Sequence, residues 1–288
     1  MTSPRVECLG PDELKRVDTM ASRAPSYRLH GSRPYRVAVV HGGPGAPGSV
    51  AAVARELSSQ TGVVEPFQTA NSVNGQALEL RSVLAHTSQL PVVLVGHSWG
   101  AWLSLITAAI NPGLVGKLIL VSSGGFLDEY GKDLQRRRIR RLSLTERREY
   151  LELTSGETIV DPDRMMERLG ELVSKTDSYD LLVESEEEQD RIPVQGDVFD
   201  SVWSEAASLR ASGQLLDLAG TLACPVVAIH GKQDPHPEEG VRIPLAQCIP
   251  SFRFYSLDKC GHYPWRERHA RARFFEILVD EIGGGPRA

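Results

Sequence analysis

Short runs of apolar residues, many of them β-branched, recur along the chain, separated by stretches in which apolar positions return every three or four residues. Tyr35–His41 (YRVAVVH), Val63–Gln68, Pro91–Gly96 (PVVLVG), Lys117–Ser122 (KLILVS), Pro225–Gly231 (PVVAIHG) and Phe252–Leu257 (FRFYSL) have the length and composition of strands. Helices are predicted over Ser49–Gln60, with Ser49 as N-cap. Further helices are predicted over Gly75–His86, Trp99–Ile110, Glu238–Gln247 and about Arg268 to Ile282. Asn111-Pro112 ends the third, because the residue before a proline is pushed out of the helical region. Continuous apolar strands alternating with helices predict an α/β fold, a mostly parallel sheet covered by helices.

One stretch breaks the alternation. Between about Phe126 and Leu218 the chain offers helical candidates, such as Lys132–Leu153 and Asp163–Ser174, but no strand. A connection this long carries structure of its own. The expected organisation is a core from residues 1–125 and 219–288, with 126–218 inserted as a helical cap over the strand ends. Its charge runs, RRRIRR at Arg136–Arg141 and ESEEEQD at Glu184–Asp190, read as solvated helix faces.

The strand PVVLV runs into Gly96-His97-Ser98-Trp99-Gly100, and the apolar helix AWLSLITAAI runs out of it. G-x-S-x-G alone is a weak signal; between a buried strand and a helix it marks a tight turn that lifts a serine hydroxyl above the sheet. The helix N-terminus adds positive partial charge beside that oxygen. Ser98 is the candidate nucleophile.

His41-Gly42-Gly43-Pro44-Gly45 follows the first of these strands. Acyl transfer needs backbone N–H groups aimed at the developing oxyanion, each worth about 2.7–4 kcal/mol. Pro44 has no N–H to give, so Gly43 and Trp99, the residue after the nucleophile, are the candidate donors. His41 is expected to brace this turn. No dinucleotide or P-loop glycine pattern is present.

A serine hydroxyl needs a base, and histidine titrates in the right range. Of eight histidines, His262 directly follows the last predicted strand, at its carboxyl end. Asp234 likewise follows PVVAIHG and can orient the imidazole. Asp258 is a competitor for the acid. His236 and His269 read as surface groups, and His97 as a packing or pocket residue. No His, Asp or Glu group has metal-ligand spacing, so neither metal nor cofactor is expected.

HGGPG, GHSWG, HGKQD and GH, in this order, resemble the α/β-hydrolase superfamily. HGGPG with S-W-G is most similar to its prolyl iminopeptidase-like group of serine aminopeptidases. The resemblance implies the α/β-hydrolase fold, a triad of Ser98, Asp234 and His262, and oxyanion donors at Gly43 and Trp99. The chain departs from that group at His97, where a second glycine is typical, and in its cap, where Trp203 is followed by Ser204 before Glu205.

Composition narrows the partners. The 288 residues carry a formal net charge of -5, which does not suit a nucleic-acid binder. No apolar run reaches the roughly 18 residues of a membrane span, and the N-terminus lacks the layout of a secretory signal. Cys8, Cys224, Cys248 and Cys260 fit no zinc or redox motif and read as buried, reduced thiols of a cytoplasmic protein. The expected activity is hydrolysis of a small ester or amide through an acyl-enzyme, by a monomer or homodimer. The alternatives are a triad-based carbon–carbon hydrolase, lyase or cyclase, and a non-catalytic ligand receptor on the same fold.

Overall fold

The computed structural model describes residues 26–155, 162–182 and 192–284. Seven strands form one sheet: β1 (Ser26–His30), β2 (Tyr35–Val40), β3 (Gly62–Phe67), β4 (Val92–His97), β5 (Val115–Val121), β6 (Val226–Gly231) and β7 (Phe252–Leu257), in the order β1-β3-β2-β4-β5-β6-β7. Only β1 runs antiparallel, against β3. The carboxyl ends of β2, β4, β6 and β7 therefore open on one edge, where the loops bearing the candidate residues emerge.

The pleat explains the apolar runs. Ala38, Val40, Leu94, Leu118 and Ala228 face one side, packing against α2 (Val73–Thr87), α3 (Trp99–Ile110), α8 (Gln214–Gly220) and α9 (Glu239–Cys248). Val37, Val39, Val95, Ile119 and Ile229 face the other, against α1 (Ala51–Leu57) and α10 (Arg271–Gly283). Phe274 of α10 is fully buried there.

Between β5 and β6 the described chain forms α4 (Leu134–Arg140), α5 (Leu144–Thr154), α6 (Pro162–Asp177), α7 (Gly196–Ala211) and α8. The single helix expected over Lys132–Leu153 is broken. Ser143 accepts from the Glu146 N–H at 3.3 Å, and Glu146 accepts from the Ser143 N–H at 2.9 Å, a capping box that starts α5 afresh. Ser49 does not cap α1, which begins at Ala51 behind Val50 without a side-chain cap. β1 was not visible as an apolar run, because it is an edge strand with exposed positions. The Glu184–Asp190 run and Cys8 lie outside the described residues. Cys260 is buried, but Cys224 and Cys248 are only half-buried, and burial raises all three thiol pKa values. No helix among the described residues is long and apolar enough to cross a membrane.

Candidate active site

Ser98 sits between β4 and α3 with φ 53° and ψ -115°, a strained conformation for a residue with a side chain. Its N–H donates to the Val121 carbonyl at 3.0 Å, and its carbonyl accepts from Ala101 at 3.1 Å. The turn closes because Gly100 lacks a side chain: a Cβ there would lie 2.5 Å from the Val40 carbonyl oxygen. The glycine turn is adjacent, since a Cβ on Gly42 would lie 3.2 Å from the Ser98 Cβ. Gly43 adopts φ 53°, and Ala46 N–H closes the turn onto its carbonyl at 3.0 Å. Buried His41 braces this turn by donating Nδ1–H to the Gly42 carbonyl at 3.0 Å. Trp99 is the first residue of α3, where a backbone N–H has no partner within the helix. Its indole N–H is spent on Gln76 Oε1 at 3.0 Å.

The structure brings Asp234 and His262 together: His262 Nδ1 lies 2.7 Å from Asp234 Oδ2, both side chains nearly fully buried. Burial alone would raise the Asp234 pKa, but the positive charge and hydrogen bond of His262 outweigh it and hold the carboxyl well below its usual range. Burial likewise opposes protonation of His262. The charge and hydrogen bond of Asp234, with the charge of Asp177, prevail and raise its pKa above 6.5. An ionised Asp234 accepts Nδ1–H, which leaves the lone pair of neutral His262 on Nε2. Ser98 is half-buried, and among the described residues its hydroxyl holds no hydrogen bond, to His262 or to any other group.

The loops that carry Asp234 and His262 are cross-braced. Gln233 donates its N–H to the Cys260 carbonyl and accepts from Cys260 N–H on Oε1, both at 2.8 Å. His230 donates Nε2–H to the His236 carbonyl at 2.9 Å, and His236 N–H donates to Asp234 Oδ1 at 2.9 Å. Asp258 is turned away, paired with Lys232 at 2.7 Å. His269 is exposed as expected, but His236 is not a surface group. Its ring packs 5.1 Å from that of His262, and burial, with the positive charge of His262 adding, pushes its pKa down to about 3 against the pull of Asp234.

Three supports of the His262 loop carry no sequence signature. His97 donates Nε2–H to the His262 carbonyl at 3.0 Å. Asp177, at the end of α6, accepts the His262 N–H on its carbonyl at 2.7 Å, while Arg138 holds its carboxylate. Arg138 thus leaves the solvated face assigned to the RRRIRR run; Arg136, Arg137, Arg140 and Arg141 remain exposed and line an open cleft of about 480 Å³ beside Asp234. Glu267, fully buried, accepts from the N–H groups of Tyr179, Asp180 and Gly261 at 2.7, 2.7 and 2.9 Å.

Asp234, His236 and His262 also offer ligand atoms within 4.8 Å of one another, a grouping the linear sequence conceals. The carboxylate in it is already committed to two N–H donors.

No curated protein matches the sequence. Solved structures do share the fold. VinJ is 18% identical, over 89% of this chain and 94% of that one, with TM-score 0.64. An esterase from Exiguobacterium antarcticum is 18% identical, over 90% and 96%, with TM-score 0.64. A proline iminopeptidase from Mycobacterium smegmatis is 16% identical, over 89% and 93%, with TM-score 0.58. The model of the alpha/beta hydrolase family matches residues 14–276. With that match spanning most of the chain, and with this sheet order and strand-edge site, the protein belongs to the alpha/beta hydrolase family.

Proposed function

We propose that the protein is a serine hydrolase that cleaves a small ester or amide through an acyl-enzyme on Ser98. The observation that carries this reading is the buried His262–Asp234 contact of 2.7 Å at the sheet edge that also bears the strained Ser98 turn. In the reaction, Ser98 Oγ attacks the substrate carbonyl carbon as its proton passes to His262 Nε2. The N–H groups of Gly43 and Trp99 receive the oxyanion. Collapse of the tetrahedral intermediate breaks the bond to the leaving group, which takes the proton from His262. Water then attacks the acyl-enzyme, gives its proton to the same nitrogen, and releases the acid with Ser98 restored. Asp234 stays ionised and stabilises the imidazolium at each stage.

Residues 126–218 act as a helical cap that selects a small-molecule substrate. Glu205, two residues after Trp203, accepts the Val73 N–H on Oε2 at 2.8 Å and so holds α7 to the start of α2. That tie gives the carboxylate a structural role, which favours an acyl group without a free amine over an N-terminal peptide as the substrate of this cap. The expected setting is the cytoplasm, as a monomer or homodimer.

A fluorophosphonate probe tests the reading. Wild type is expected to be labelled at Ser98 and Ser98→Ala to stay unlabelled. Folded wild type that resists the probe would contradict it.

A further inference from the structure

We propose that His97 is a positioning residue: by donating Nε2–H to the His262 carbonyl, it ties the turn that carries the nucleophile to the loop that carries the base. The inference rests on the serine-hydrolase reading above.

A carbonyl only accepts, so the 3.0 Å contact fixes the His97 proton on Nε2. Nδ1 is then a bare acceptor, buried and, among the described residues, without a hydrogen-bond partner. Its side is closed by the glycine turn, since a Cβ on Gly42 would lie 2.6 Å from it. The ring stands edge-on to Trp265 at 4.7 Å and tilts against His262 at 4.9 Å and Tyr263 at 5.5 Å. His97 therefore touches all three working parts: the nucleophile turn by covalent bonds, the glycine turn by contact, and the base loop by a hydrogen bond. On its other side His262 is held by its own N–H, which donates to Asp177. The backbone of the base is thus pinned on both flanks, and only the His97 tie reaches the nucleophile turn.

Packing alone does not account for this side chain. A buried acceptor without a partner is costly, and a phenylalanine of similar shape would avoid that cost. The Nε2–H donor is what phenylalanine lacks. Burial, reinforced by the positive charge of His262, lowers the proton affinity of His97 far enough to keep it neutral, so the tie persists when the base becomes protonated.

The test compares wild type, His97→Phe and His97→Gln, with Ser98→Ala as the unreactive control. Glutamine restores an N–H at about the reach of Nε2; phenylalanine fills the space without one. His97→Phe is expected to lower kcat and the fluorophosphonate labelling rate about 10- to 100-fold, the scale of a sub-ångström to ångström misplacement, with KM little changed. His97→Gln is expected to recover most of that loss. In proton NMR the low-field Nδ1–H resonance of His262 should broaden or vanish in His97→Phe and persist in His97→Gln. If His97→Phe does not fold, His97→Gln decides the matter: most of the wild-type kcat and the low-field His262 resonance should remain, and loss of both overturns the proposal. Wild-type kcat in His97→Phe, or equal losses in both His97 variants, overturns it as well. Wild type that takes no probe and turns over no ester overturns the serine-hydrolase reading instead, and the His262 resonance alone then decides whether His97 holds the imidazole.

Discussion

Glu267, outside the proposed triad, joins the loop of His262 to the segment after α6. Its buried carboxylate gathers one N–H from the base loop, at Gly261, and two from the segment after α6, at Tyr179 and Asp180. The Arg268 N–H to Asp180 carbonyl bond (2.9 Å) and the Leu182 N–H to Arg266 carbonyl bond (2.8 Å) run alongside. Truncation in Glu267→Ala leaves the buried Gly261 N–H without an acceptor, at about 1–3 kcal/mol, and takes the partner from the part-buried Tyr179 and Asp180 N–H groups, at less each because water reaches them. Together a loss of about 2–4 kcal/mol is expected. At roughly 2–4 °C per kcal/mol, Tm falls by about 4–16 °C. Glu267→Gln separates the donors. Tyr179 and Gly261 share Oε1 and can keep a carbonyl oxygen, while Asp180 N–H faces an amide N–H₂ and loses its acceptor, at the smaller cost of a part-buried group. Urea unfolding followed by tryptophan fluorescence reads both variants, since Trp265 lies two residues from the site. Glu267→Ala within about 0.5 kcal/mol of wild type, the scatter of ordinary surface changes, would refute the reasoning. So would Glu267→Gln costing as much as alanine.

The remaining predictions follow from the same geometry. Only neutral His262 can accept the Ser98 proton, and its pKa is raised, so kcat/KM should fall as pH drops through a value above 6.5. Asp234→Asn removes the charge that raises it, so the acid limb should move to lower pH while kcat falls on the order of 10³–10⁴-fold; an unmoved limb in the pH–rate profile would contradict the pairing. Gly100→Ala drives a Cβ into main-chain carbonyls that cannot step aside, and should destabilise the protein by about 3 kcal/mol or more in urea titration. Glu205→Ala orphans the Val73 N–H and should cost about 1–2 kcal/mol, while leaving the relative rates on esters and aminoacyl arylamides unchanged. A selective loss on arylamides would return Glu205 to the role of amine receptor.

What the sequence reveals and what it hides have different physical causes. β4 and β6 are buried on both faces, so their unbroken apolar runs leave little doubt; the loops after them inherit their positions from the parallel sheet, which is why Asp234 and His262 could be paired from a distance. β1 escapes notice because an edge strand needs no apolar run. The break at Ser143 has a local signal, Ser followed three residues later by Glu, overridden in reading by the helical spacing around it. Arg138 and Glu267 are different: each is one charge among many, and its burial depends on a partner fixed only in three dimensions. His236 reads as polar and loop-borne, and only the folded loop shows it beside His262.

The central claim is that Ser98 becomes acylated during turnover. Acid-quenching the reaction with an activated p-nitrophenyl ester, followed by peptide mass spectrometry, tests it most directly. The account predicts one acyl group on the peptide containing Ser98, and none in Ser98→Ala. Full turnover by Ser98→Ala, or an adduct borne on another residue, would contradict it.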